Sequence, residues 1–330
     1  MRSTTSRPLS LLVLGGTRFL GRAVVEAALA DGHQVTLFNR GRTNPRLFPR
    51  VETVLGDRTA DLSALSDRRW DAVVDVAGYD PHVVGRSVAT LRGRVGRYVF
   101  VSSLSVLADQ STPQDEEGEL LALHKGMAPE DAYGARKAAC ERVVLDAFAQ
   151  QASIVRPGMI VGPHDPTDRF AYWPRRFARG GRVLLPGDPT DAAQFIDVRD
   201  VADWIVGCAV QDRGRVFNVT GPTIAFGAFF DVCRAVAGTP AETVWVPSER
   251  LLAAGVDPWM GVPMWIADPA CAAINRVDVS RALAAGLTLR PLAQTLADTL
   301  AWDTERGGLP QDRQGLSEQE EHRLLRTLTN

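Results

Sequence analysis

Leu9-Ser10-Leu11-Leu12-Val13-Leu14-Gly15-Gly16-Thr17-Arg18-Phe19-Leu20-Gly21 is the stretch that decides the fold. An apolar run the length of one strand enters a glycine turn at once, and residues 22–30 continue with helical composition. Strand, turn and helix in that order aim backbone N–H groups and the positive end of a helix at one point, which suits a pyrophosphate. The strict Gly-x-Gly-x-x-Gly spacing is not met, because Arg18 stands where a middle glycine would let the backbone approach phosphate. A glycine turn can also serve strand-to-helix packing alone, so its meaning depends on the rest of the chain.

Outward from that turn, apolar runs at 34–38, 51–55, 72–76, 98–101 and 153–155 alternate with helical stretches at 22–30, 82–91 and 132–150. Such alternation predicts an α/β protein with a parallel sheet covered by helices on both faces. The second half is richer in Pro, Gly, Trp and Arg. Trp259, Trp265, Pro258, Pro263 and Pro269 gather in a segment that reads either as a lid or as a loop packed on the core. The segment 316–328 has the composition of a surface-docked helix.

The 330 residues are 45% hydrophobic, ample for a core, and the net charge of −2 points to neither nucleic acid nor membrane as a partner of the whole chain. Cys140, Cys208, Cys233 and Cys271 are scattered without metal-ligand spacing, which predicts reduced thiols, no metal and a cytoplasmic location. The N-terminus resembles a signal peptide only superficially, since its short apolar run leads straight into the glycine turn. No stretch is long enough to span a membrane.

Two further segments carry chemistry. Tyr133 and Lys137 stand four apart on a predicted helix and share a face, so the ammonium is expected to lower the phenol's pKa and make it a usable general acid or base. Ser103 ends the run Val99-Phe100-Val101-Ser102-Ser103, which places a hydroxyl at the carboxyl end of the sheet, where open α/β sheets bind ligands.

With these segments in order, the chain resembles the short-chain dehydrogenase/reductase superfamily, in its extended and atypical epimerase/dehydratase-like branch. Gly15 to Gly21 match the dinucleotide turn, Asp75-Val76-Ala77-Gly78 the segment after the fourth strand, and Ser103, Tyr133 and Lys137 the catalytic triad. Arg156-Pro157-Gly158-Met159-Ile160 and Gln194-Phe195-Ile196-Asp197 match later landmarks. The resemblance implies a Rossmann-type doubly wound sheet, with residues 1–161 holding the cofactor and the Ser-Tyr-Lys site. Residues 162–330 would form a substrate-binding region interleaved with returning strands at about 195–220. It also implies that Gly15, Gly16, Thr17, Arg18, Phe19, Leu20, Gly21, Ala77, Gly78, Pro157, Gly158 and Ile160 lie along NAD(P), together with Tyr133 and Lys137.

The second strand ends Phe38-Asn39-Arg40-Gly41-Arg42, without the carboxylate that holds a ribose 2′-hydroxyl. Guanidinium groups bind phosphate, so Asn39 and Arg40 favour NADP(H) over NAD(H) unless these arginines are simply solvated. Asp57 and Arg58 stand where relatives touch adenine. After Gly162-Pro163, the density of His164, Arg169, Tyr172, Arg175 and Arg176 suggests a polar, aromatic substrate pocket, to which Ser105 and Gln194 would contribute. His164 could instead be a loop hydrogen-bonding residue, and the arginines a solvated face.

In related nucleotide-sugar enzymes an arginine clamps the diphosphate at the position of Ala193, and a tyrosine stands where this chain has Leu107. These departures favour an NADP(H)-dependent oxidoreductase acting on a carbonyl or alcohol of a small polar metabolite, as monomer or homodimer. The alternative is a sugar or nucleotide-sugar epimerase or dehydratase. A third reading, an RNA-binding or sensor relative, rests on the basic run Arg169, Arg175, Arg176, Arg179 and Arg182, while the net charge argues against it.

Overall fold

A computed structural model describes residues 7–211, 213–307 and 314–328. The first half runs β1 (Ser10–Leu14), α1 (Phe19–Ala30), β2 (Gln34–Asn39), β3 (Glu52–Leu55), β4 (Trp70–Asp75), α2 (Pro81–Leu91), β5 (Val95–Val101), α3 (Pro129–Phe148) and β6 (Ala152–Pro157). There follow β7 (Met159–Val161), α4 (Tyr172–Ala178), β8 (Gly181–Pro186), β9 (Ala192–Ala193), β10 (Phe195–Asp197), α5 (Val198–Val210) and β11 (Val216–Val219). The chain closes with β12 (Ile224–Ala225), α6 (Phe226–Ala237), β13 (Ala241–Val246), α7 (Ser248–Ala253), α8 (Ser280–Ala284), α9 (Leu292–Glu305) and α10 (Glu318–Leu328).

Seven strands form one parallel sheet in the order β11-β6-β5-β4-β1-β2-β3. Leu11, Leu12 and Val13 of the interior strand β1 are fully buried because helices cover both faces, which is why β1 reads as a continuous apolar run. On one face Val24, Val25 and Ala28 of α1 pack with Val201 and Ile205 of α5; on the other lie Val84 and Val88 of α2 with Cys140 and Val144 of α3. The order reverses between β1 and β4, so a crevice opens at the carboxyl ends of these two strands. Asp80 sharpens its rim: its side chain accepts from the backbone N–H groups of His82 and Val83, with Pro81 at the first helical position of α2.

The second half returns β11 to the sheet edge beside β6. The rest builds a separate aromatic core from Phe170, Trp173, Phe177, Phe229, Phe230 and Trp265. Pro263 and Trp265 of the Trp- and Pro-rich segment belong to this second region: the Trp173 indole donates to the Pro263 carbonyl at 3.1 Å. Helix α10 docks on it through Leu324 and Leu325. Among the described residues no helix is long and apolar enough to cross a membrane.

Candidate active site

A cleft of about 350 Å³ lies at the carboxyl ends of β1, β2, β3 and β4. Gly15 and Thr17 line it from the glycine turn, Asn39, Arg40 and Arg42 from the loop after β2, Asp57 and Arg58 from the loop after β3, and Ala77 and Tyr79 from the loop after β4. The glycines answer first to packing. A β-carbon on Gly16, whose φ is +97°, would come within 2.6 Å of Leu37, and one on Gly21 within 2.8 Å of the Gly16 nitrogen. The cleft above it is what gives the turn room for a ligand. Asn39 fixes that cleft's shape, donating to the Gly15 carbonyl at 3.3 Å and accepting from the Gly41 N–H at 2.8 Å. The Asp57 carboxyl is held below the usual range by its Thr59 hydrogen bonds and, to a smaller extent, by Arg40 and Arg42, so both guanidinium groups bear on this end of the cleft.

Past the turn, Phe19 and Leu20 begin α1 and Leu20 is buried in the core. Gly158 rests against Thr220, and Ile160 pairs with Ile196 between β7 and β10. Pro157 ends β6 of the main sheet beside Val219, and Ile160 packs against the α1–α5 core; none of Pro157, Gly158 and Ile160 lines the cleft at the ends of β1–β4.

Ser103 begins the short turn Leu104–Val106 at the end of β5; its hydroxyl accepts from the Ser105 N–H at 3.1 Å and donates to the Ser105 hydroxyl at 3.0 Å. Tyr133 of α3 remains 43% exposed at this place. Burial raises the phenol's pKa, the Ser103 hydroxyl acts in the opposite direction, and Arg169 adds a smaller lowering effect. The expectation that Lys137 would lower it is corrected. Lys137 is 2% exposed and its ammonium donates to the carbonyls of Gly78, at 2.8 Å, and Val101. It lies 5.0 Å from the centre of the Tyr79 ring and 4.5 Å from that of Phe100. Burial lowers its pKa to about 8, with Asp75 the largest opposing influence.

Two residues absent from the sequence-based site enter here. Tyr79, 58% exposed, faces Tyr133 across 6.5 Å between ring centres and lines the cleft. Its signal was its position directly after the Asp75–Gly78 segment. Asp75 is fully buried below it and accepts from Arg58 at 2.7 and 2.8 Å, from the Tyr98 hydroxyl at 2.8 Å and from the Ala77 N–H at 3.1 Å. Arg58 therefore presents its flank to the cleft, with its charged end committed beneath. Behind Ser103, Glu141 accepts from Ser102 and, at 2.7 to 3.3 Å, from Arg156, a buried cluster that ties α3 to β5 and β6.

Several substrate candidates are engaged within the protein. Tyr172 is buried against Trp173, with ring centres 4.9 Å apart. Arg176 is buried and paired with Glu321 of α10, donating also to the Gly180 and Arg182 carbonyls. Gln194 donates to the Gly221 and Val277 carbonyls and accepts from the Val277 N–H, which satisfies its amide inside the protein. His164 packs edge-on to Trp302 of α9, 5.4 Å between centres, in a shallow depression shared with Arg22 and the 44–47 loop. Arg175 pairs with Asp168 and Asp303, Arg179 with Glu321 and Arg182 with Glu242, so most of the basic run is spent on ion pairs within the chain. Ser105 stays beside Ser103, accepting from its hydroxyl at 3.0 Å, and the Arg169 charge acts on Tyr133. Ala193 is fully buried in the aromatic core and pairs with Ile224, a place without room for an arginine. Among the described residues no group of three His, Cys, Asp or Glu side chains could hold a metal ion.

Residues 11–220 match the NAD dependent epimerase/dehydratase family. The chain is 25% identical over 352 residues to a UDP-glucose 4-epimerase of Neisseria meningitidis serogroup A, covering 89% of this chain and 96% of that one. It is 23% identical over 270 residues to the chloroplast stem-loop binding protein of 41 kDa b of Arabidopsis thaliana, covering 73% of this chain and 66% of the relative, just under two thirds of its length. The solved UDP-N-acetylglucosamine 4-epimerase from Bacillus cereus superposes with a TM-score of 0.68 at 18% identity, covering 92% of this chain and 99% of that one, a likeness of fold.

Proposed function

This chain belongs to the NAD dependent epimerase/dehydratase family, and we propose that it transforms a secondary alcohol or carbonyl of a sugar-type substrate, with Tyr133 moving the proton. The observation that carries this reading is Tyr133 itself. It is an exposed phenol facing Tyr79, which lines the cleft at the carboxyl ends of β1–β4. The family's cofactor fits that cleft. Thr17 and the turn's N–H groups suit its pyrophosphate, Asp57 its adenine, and Arg40 and Arg42 a 2′-phosphate. When bound, the nicotinamide ring supplies or accepts hydride.

The protein's own residues do the remaining work. Ser103 orients the substrate oxygen and the Tyr133 hydroxyl toward one another. Tyr133, whose raised pKa keeps it protonated at neutral pH, donates to an oxygen that gains charge in one direction and takes the proton back in the other. Lys137, held under Tyr79, places positive charge below the site, where it favours developing negative charge.

Incubation with UDP- and dTDP-hexoses and either cofactor tests the reading. An epimerised or dehydrated sugar without net release of reduced nicotinamide is the expected outcome. Tyr133→Phe is expected to lower turnover by about 10²–10⁴-fold with cofactor affinity unchanged; turnover within a few-fold of wild type would remove Tyr133 from its role. A second reading, a reductase that releases its product, draws on Ala193: the nucleotide-sugar clamp expected there has no room. Stoichiometric consumption of NADPH with a small carbonyl compound and no sugar turnover would select it.

A further inference from the structure

Arg169 differs from the other arginines of its run. Its Nε donates to the Thr167 hydroxyl at 2.9 Å, and that hydroxyl donates to Asp165 at 2.7 Å. The guanidinium carbon lies 5.7 Å from the centre of the Trp259 ring. On its N-terminal side Asp168, with φ of +59°, is fully buried and held by Arg175 and Arg306. On its C-terminal side Phe170 is fully buried in the aromatic core. Inner edge, ring face and both flanks of the backbone are therefore fixed. The outer edge is not: among the described residues no carboxylate pairs with the terminal nitrogens, whereas Arg175, Arg176, Arg179 and Arg182 each have a carboxylate within 4.0 Å.

We propose that Arg169 is an oxyanion anchor of the substrate pocket, its open two-nitrogen edge receiving a carboxylate or phosphate carried by the substrate. A planar guanidinium matches such groups with two parallel hydrogen bonds. The Thr167 hydroxyl stands between Arg169 and Asp165, so the acid orients the guanidinium without a direct ion pair. Asp165 is 1% exposed and accepts from the Thr167 N–H and hydroxyl, so it is engaged by Thr167 rather than by the outer edge of the guanidinium. The Arg169 charge also acts on the Tyr133 phenol, so the arginine faces the Tyr133 side of the site. Ala193, enclosed in the core, supplies no such contact, and Arg169 provides it from the neighbouring loop.

The inference rests on the proposed site and is tested by binding rather than turnover. The two can therefore fail separately: an active Tyr133→Phe enzyme would sink the catalytic reading and leave the anchor untouched. The cofactor-saturated protein is titrated calorimetrically with two matched pairs, glucuronate against glucose and UDP against uridine. The charged member of at least one pair is expected to bind about tenfold tighter or more, the worth of a charge-assisted contact. Preference within the first pair assigns a carboxylate and within the second a phosphate. Arg169→Gln is expected to abolish the preference, and Arg169→Lys, which keeps the charge without the fork, to retain part of it. Thr167→Val is expected to weaken it, with cofactor affinity unchanged. Equal binding within both pairs, or a preference that survives Arg169→Gln, overturns the proposal.

Discussion

Gly134 packs directly on the carbonyl of Ser105: a β-carbon at residue 134 would lie 1.9 Å from that oxygen. The glycine next to Tyr133 thus sets how closely α3 approaches the serine turn, and so where the phenol stands relative to Ser103. Gly134→Ala must push the helix away from backbone that cannot yield locally. A loss of about 1–3 kcal/mol in stability is expected from overpacking, and a fall in kcat of about 10²-fold from a displacement near 1 Å. Thermal melts and steady-state rates check this. A variant with wild-type kcat would mean that the approach of α3 does not position Tyr133.

The cofactor end offers a charge test. Arg40 and Arg42 line the cleft on the loop where a carboxylate would otherwise hold the ribose. NADP(H) is expected to bind about tenfold or more tighter than NAD(H), in keeping with one charge-assisted phosphate contact. Arg40→Asp is expected to flatten or reverse that order. Equal affinities in the wild-type protein, by calorimetry, would reduce the two arginines to solvated charges.

The sheet was legible in the sequence because β1, β4, β5 and β6 are buried on both faces and so read as plain apolar runs. The glycine turn and the Ser103, Tyr133 and Lys137 positions were legible as motifs. Burial of polar residues was not. Tyr172 and Arg176 look like ligands by type, but Arg176 finds its partner in Glu321, 145 residues downstream, which no local pattern announces. Gln194 is likewise bound to Val277 across 83 residues. The four-residue spacing of Tyr133 and Lys137 suggested direct contact, yet the lysine is drawn inward by two carbonyls whose position depends on β4 and β5.

Arg58 and Asp75 form a buried pair below the cofactor cleft, and removing one partner leaves the other's charge uncompensated. Arg58→Met is expected to cost about 3–5 kcal/mol at neutral pH. In the wild-type protein burial pushes the Asp75 carboxyl up, but Arg58, Tyr98 and the Ala77 N–H together hold it below its ordinary value. Its contribution is therefore present above the unfolded pKa and lost as pH falls through the folded one. In the variant burial acts without the guanidinium, the folded pKa rises, and protonation relieves the strain. The stability gap between the two proteins should narrow on acidification, as followed by urea unfolding from neutral pH downward. A gap that stays constant would show that Asp75 does not carry the charge.

Lys137 makes the opposite prediction on the alkaline side. Burial brings its folded pKa down to about 8, against an ordinary value of 10.5. Between those values the unfolded chain holds a proton that the folded chain has released, so raising the pH favours folding across that window. At neutral pH the charged lysine is a burden of order 3 kcal/mol, at about 1.36 kcal/mol per pKa unit. Two carbonyls and the faces of Tyr79 and Phe100 surround the ammonium and bear that burden in part. Lys137→Met, similar in length and apolar, is expected to remove the alkaline rise in stability and to melt at or above the wild-type temperature at neutral pH. Turnover should be lost at the same time, since the charge held under Tyr79, below the proposed site, is gone. Urea unfolding of both proteins at about pH 7 and about pH 10, alongside rate measurements, separates the two effects. A methionine variant that keeps the wild-type pH slope would show that the slope arises from another group. One that keeps wild-type turnover would show that the buried ammonium is a structural residue only.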